Sequence, residues 1–186
     1  MKLLWSNCNL PLSTIIQLAT GQKESHFSIV FNDKLVIQSN LYGVGLAWFN
    51  SFRKKHNIIN EITVICPLEK EEEVFSNIMD QFDGKNYDFF ALLYFGWSIL
   101  KNRIFHTPMP KVNKWGRADW YLCNEIYACL PSWLVPKIEM DMVTPGDLYK
   151  LISAFHLDKA QASEEQEDEA ERMQHGHLGK RTILIQ

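Results

Sequence analysis

At 186 residues, with 46% hydrophobic and 12% aromatic side chains, the chain reads as one domain able to bury a substantial core, or one domain with an appendage. Its 19 basic and 22 acidic residues leave a formal net charge of −3, which carries no global nucleic-acid signature. Four cysteines, Cys8, Cys66, Cys123 and Cys129, show no CxxC spacing, so the pattern fits reduced thiols rather than a zinc knuckle or a redox pair.

In chain order, "MKLL" carries one positive charge and a short apolar run that the polar "SNCN" interrupts. That is too short for the apolar core of a secretory signal, which needs about 7–15 residues. "PLSTIIQLATG" (11–21) predicts a short helix, with Pro11 in its first turn and Gly21 at its stop. "HFSIVF" (26–31) and "KLVIQS" (34–39) predict a β-hairpin around "ND". "GVGLAWF" (43–49) reads as a third strand and "EITVIC" (61–66) as a fourth. From Glu69 the period becomes helical, with Val74, Phe75, Ile78, Met79 and Phe82 on one face and Gly84 as the end. Residues 87–102 predict a more apolar helix. Its apolar run, "FFALLYFGWSIL" (89–100), falls short of the roughly 18 residues a membrane span requires. A loop follows over 106–117, then a helix opening near Cys123 and stopped by Pro131. In "TPGDLYKLIS" (144–153), Thr144, Pro145 and Asp147 resemble a helix-capping box. The domain is expected to span 1–157. Residues 158–186 are expected to form a flexible acidic tail, with six acids between Glu164 and Glu171, ending in the β-prone "TILIQ". Such a terminus could add to a sheet edge, its own or that of a protein partner.

The chemistry-bearing residues concentrate at two places. Along the 26–31 strand His26, Ser28 and Val30 share one face, and Phe27, Ile29 and Phe31 share the other. A three-residue hairpin loop would pair Ser28 with Gln38 and set Gln38 diagonally beside His26. A two-residue loop would bring Ser39 opposite instead, and Asn40 is the further alternative. Cys123, in the first turn of its predicted helix, would feel the positive end of the helix dipole, which favours the thiolate. The clusters "KKH" (54–56) and "KNR" (101–103) read as solvated faces. "HGH" (175–177) supplies two imidazoles without a third metal ligand.

Several segments together resemble a known superfamily. They are "LSTIIQLATGQKESHFSIVF" (12–31), "LVIQSNLYGVGLAWF" (35–49), "YDFFALLYFGW" (87–97), "KWGRADWYLCNEIYACL" (114–130) and "TPGDLYK" (144–150). Their order is similar to that of circularly permuted NlpC/P60, papain-like cysteine hydrolases, near the YiiX-type and lecithin:retinol acyltransferase-like branches. The resemblance covers about residues 10–152. It implies an α+β permuted papain-like fold, a small antiparallel sheet packed against helices. It also implies Cys123 as nucleophile, His26 as base and Gln38 at the third polar position, acting on a peptide, amide or acyl substrate such as a peptidoglycan stem peptide or an acyl lipid. That chemistry requires no cofactor and no metal. Asn124 stands where the family has a small serine, and Gln38 is neutral where many relatives carry Glu or His. A non-catalytic module of a phage particle or cell-wall complex and a lipid thiol acyltransferase are the alternative functions. The expected location is cytoplasmic or virion-associated, with no nucleic acid and no transmembrane segment.

Overall fold

The sheet begins with a strand the pattern above did not single out. Lys2–Cys8 (β1) alternates Leu3 and Trp5 toward one face with Leu4 and Ser6 toward the other, and all four are fully buried. A strand covered on both faces lacks the clean apolar–polar alternation of a half-exposed one, so its few residues carried little signal. A computed structural model of the protein describes residues 1–116, 120–123, 125–138 and 143–159.

After Pro11–Thr20 (α1), which stops at a left-handed Gly21 as expected, come His26–Phe31 (β2), Leu35–Asn40 (β3) and Gly43–Trp48 (β4). The helix Phe49–Lys55 (α2) leads into His56–Thr63 (β5). The five strands form one antiparallel sheet in the order β4-β3-β2-β1-β5. Leu68–Phe82 (α3) follows, then Asn86–Tyr87 (β6) and Phe89–Phe105 (α4). Trp120–Tyr121 (β7) pairs in parallel with β6. A helix over 145–159 (α5) ends the described chain. It runs two residues past the expected boundary at 157, and the acidic tail with "TILIQ" and His175/His177 lies outside the described residues. The architecture is α+β.

Both faces of the sheet are packed. On one, Leu3, Trp5, Phe27, Ile29 and Ile37 meet Val74, Ile78 and Phe82 of α3 and Leu148 and Ile152 of α5. On the other, Leu4, Val30 and Val36 meet Phe49 and Phe52 of α2. The pattern above predicts no helix over "FNSFRKK", yet these roughly two turns cover the face on which His26 lies. α5 opens as its sequence predicts: Thr144 Oγ1 accepts from the Asp147 N–H at 3.1 Å and donates to Asp147 Oδ2 at 2.7 Å.

Two turns fix the strand register. The Lys34 N–H donates to the Phe31 carbonyl at 3.0 Å across Asn32 and Asp33, both at positive φ, where Asn and Asp are the best-tolerated residues with a side chain. The Asn32 N–H is further held by the buried Glu71 carboxylate of α3 at 2.6 Å. Phe31 therefore pairs with Leu35 and Ser28 with Gln38, the three-residue alternative. At the other end of β3, Gly43 has φ +108°, and an added Cβ would lie 2.4 Å from the Lys85 carbonyl. Gly43→Ala is expected to lose about 2–3 kcal/mol from strain and overlap, a Tm drop of about 5–10 °C in a thermal melt.

Candidate active site

His26 opens β2, and its ring is packed into a column. It stands 5.3 Å (centroids) from His56 and 6.3 Å from Phe52, and Phe52 and His56 stack at 4.1 Å with planes 7° apart. Gln38 is reached from β3 through the Ser28–Gln38 register, and its Oε1 lies 3.2 Å from His26 Nε2. With Nε2–H donating to that oxygen, Nδ1 is the nitrogen left to accept a proton. Burial pushes the His26 pKa from 6.5 to about 3, the positive charge of His56 pushes the same way, and Gln38 opposes both. His56 is itself lowered, by burial and then by Lys55. His26 is therefore neutral at physiological pH.

His26, Gln38 and His56 line a cavity of about 380 Å³ that also takes in Cys8, Ser13, Ser25, Ser39, Tyr42 and Tyr87. Ser13 of α1 organises one wall. Its hydroxyl accepts from the Cys8 N–H at 3.1 Å and shares a 2.6 Å hydrogen bond with the hydroxyl of Ser25, the residue before His26.

The Cys123 segment is anchored at the same end of the sheet. The Tyr121 carbonyl accepts from Ser39 Oγ at 3.0 Å and from the Asp88 N–H at 3.3 Å. Glu125 closes the next turn reciprocally, accepting the Leu122 N–H on its carboxylate at 2.5 Å while its own N–H donates to the Leu122 carbonyl at 3.1 Å. Cys123 sits inside that clamp and is 5% exposed. It lies near Tyr87, a wall residue of the cavity. Burial first, and the Cys123 charge next, raise the Tyr87 phenol well above its usual range.

The structure thus brings His26 and Gln38 into hydrogen-bond contact on the α2 face. Cys123 enters on a segment whose Ile126, Tyr127 and Leu130 pack against the opposite face, with Phe27 and Ile37. One expectation is corrected. Cys123 precedes its helix instead of lying in the first turn, and the helix is a five-residue 3₁₀ segment, Glu125–Cys129. So short a helix, tighter than α and closed by Pro131, offers little dipole to the thiol. Glu125, two residues after the cysteine, takes a positioning role through these turn-closing bonds.

Sequence reasoning passed over Cys8 and placed His56 on a solvated face, whereas His56 stacks on Phe52 in the cavity wall. Cys8 and His56 pair directly across β1 and β5, so their side chains share a face, and both line the cavity. The signal that would have found them is β1 itself, since the pairing exists only once that strand is recognised. Among the described residues no group of three or more His, Cys, Asp or Glu is arranged to hold a metal ion, and no helix is long and apolar enough to cross a membrane. No family model, curated protein or solved structure matches the chain.

Proposed function

We propose that this chain is a permuted papain-like cysteine hydrolase in which Cys123 attacks an amide or ester carbonyl, His26 carries the proton and Gln38 orients the imidazole. The observation that carries the reading is the His26–Gln38 hydrogen bond of 3.2 Å in the wall of a cavity, at the end of the sheet where Ser39 ties down the Cys123 segment. In the first half-reaction the thiol sulfur bonds to the carbonyl carbon while its proton passes to His26 Nδ1 and on to the leaving amine or alcohol. Water then cleaves the thioester, giving one proton to the same nitrogen, and the thiol is restored. A neutral His26 implies a resting thiol–imidazole pair rather than an ion pair. Such a weak base is best served when proton transfer accompanies attack. The neutral Gln38 agrees with this, because it holds the ring without favouring its cation by a full charge.

Thiol reactivity tests the assignment. Cys8 and Cys66 are more exposed than Cys123, so accessibility alone would label them first. With limiting iodoacetamide at pH 7 and mapping by mass spectrometry, Cys123 is expected to be alkylated ahead of both, and more slowly in His26→Ala. Preferential labelling of Cys8 would move the nucleophile to the Cys8–His56 pair. Labelling that follows exposure would favour a binding module over an enzyme.

A further inference from the structure

The sheet has one edge without a neighbour. In the order β4-β3-β2-β1-β5, β5 pairs with β1 alone among the described residues. The β4 edge is tied down, since the Val44 N–H donates to the Lys85 carbonyl at 2.8 Å. β5 is eight residues long and contains neither proline nor glycine. Alternate backbone groups of such a strand point away from its one partner, a template for a further strand. A bulge at Ile59 leaves His56–Ile58 and Asn60–Thr63 as two regular runs. The side chains along this edge are apolar on both faces. Ile62 lies on the face of Leu3 and packs on the core beneath α3 and α5, whereas Ile58 lies on the face of Ser6 and packs on the α2 side. Both isoleucines are only half-buried. The two ends of β5 differ in charge. The exposed Arg53, Lys54 and Lys55 precede it, while at its far end Glu61 and Asp33 share Lys2, at 3.3 and 3.0 Å.

We infer that "TILIQ" (182–186), a segment outside the described residues, adds to β5 as a sixth, antiparallel strand of its own sheet. In an extended segment Ile183 and Ile185 fall on one face and Leu184 on the other, which suits an edge that offers isoleucine on both. Charge sets the direction. Lys180 and Arg181 precede the segment. Antiparallel pairing brings them to the Glu61 end, where two carboxylates share one lysine; parallel pairing would bring them beside Lys54 and Lys55. The chain can reach. α5 packs on this sheet, with the Tyr149 ring 5.1 Å from that of Trp5 on the strand beside β5. Residues 160–181 connect α5 to the segment, and about 22 residues span roughly 26 Å as a coil. A tethered strand meets the edge at an effective concentration on the order of millimolar, so it outcompetes the same strand of a second copy. The occupied edge is then closed to pairing with other molecules. None of this rests on the hydrolase reading.

Hydrogen–deuterium exchange of the full-length protein, read by mass spectrometry on peptides covering 56–63 and 182–186, tests the pairing. Leu184→Pro removes a donor from the added strand and disfavours its pairing. The protected amides of both peptides are expected to exchange about tenfold or more faster in that variant than in the wild type. Charge reversal gives a milder perturbation. Lys180→Glu with Arg181→Glu should cut protection of both peptides by about two- to fivefold, and adding Glu61→Lys should restore it. A rescue of that kind requires the two segments to be neighbours. The inference is overturned if the 182–186 peptide exchanges as fast in the wild type as in Leu184→Pro, or if Leu184→Pro leaves the 56–63 peptide unchanged. Charge reversal that strengthens protection would overturn the antiparallel direction. Protection that rises with protein concentration, together with a dimer in sedimentation velocity, would overturn the intramolecular pairing and assign the strand to a second copy.

Discussion

Cys123→Ala is expected to abolish turnover of amide or ester substrates, with kcat falling on the order of 10⁴-fold, because the covalent route disappears with the sulfur. Gln38→Ala should cost far less. It removes one neutral hydrogen bond of 3.2 Å to His26 Nε2. Such a bond is worth about 0.5–1.5 kcal/mol, or roughly 2- to 13-fold in rate if all of it acts in the transition state. Gln38→Glu is the sharper variant. A carboxylate there would favour the imidazolium, raise the His26 pKa from its buried value and lower that of the thiol. Activity should persist or rise, with the acid limb of the kcat/KM profile moving to higher pH as the His26 pKa rises. Equal losses for Cys123→Ala and Gln38→Ala would contradict these roles. So would identical pH profiles for the wild type and both Gln38 variants.

Acidification from neutral pH is expected to destabilise the protein. The unfolded chain binds a proton at His26 near pH 6.5, the folded chain only near pH 3. The contribution of the neutral ring is thus fully present above about pH 6.5 and is lost as pH falls toward 3, at about 1.4 kcal/mol per pH unit inside that window. By pH 4 the loss from His26 alone reaches about 3 kcal/mol, a Tm drop of roughly 6–12 °C. His56 and His156, both lowered by burial first, act in the same direction. Thermal melts between pH 7.5 and 4 should show the fall, and His26→Gln should flatten it. A wild-type Tm that is level over this range would show that His26 is not held neutral by burial.

The two expectations trace to different kinds of sequence information. The His26–Gln38 contact was legible because it is local: "ND" fixes a short turn, and one register then sets Gln38 diagonally across from His26. The low His26 pKa was not legible, because it depends on α2. That helix has only Phe49 and Phe52 as buried residues, and its "RKK" end reads as solvent-facing. The short run hid the packing that encloses the imidazole. β1 was missed for a related reason: a strand buried on both faces shows no alternation. With it went the Cys8–His56 pairing, which joins residues about 50 positions apart in sequence. The Cys123 turn was half legible. The Cys–x–Glu spacing is visible in the sequence, but a reader sees a helix start there, whereas the Glu125 carboxylate bonds backward to Leu122 and leaves the cysteine in the turn before the helix.

Ser13 gives the architecture an experimental handle. Its hydroxyl is the acceptor for the Cys8 amide and the partner of Ser25, so α1 is pinned at one buried point in the wall of the His26–Gln38 cavity. Ile15 and Leu18 on the outer side of the same helix face solvent. Detachment of α1 would unroof the His26–Gln38 cavity and strip the Cys8 amide of its acceptor. That single proton should then exchange with deuterium at a rate set by the opening of α1 and not by global unfolding of the sheet around it. Its protection factor would read the free energy of α1 opening directly, in the native protein and without a substrate.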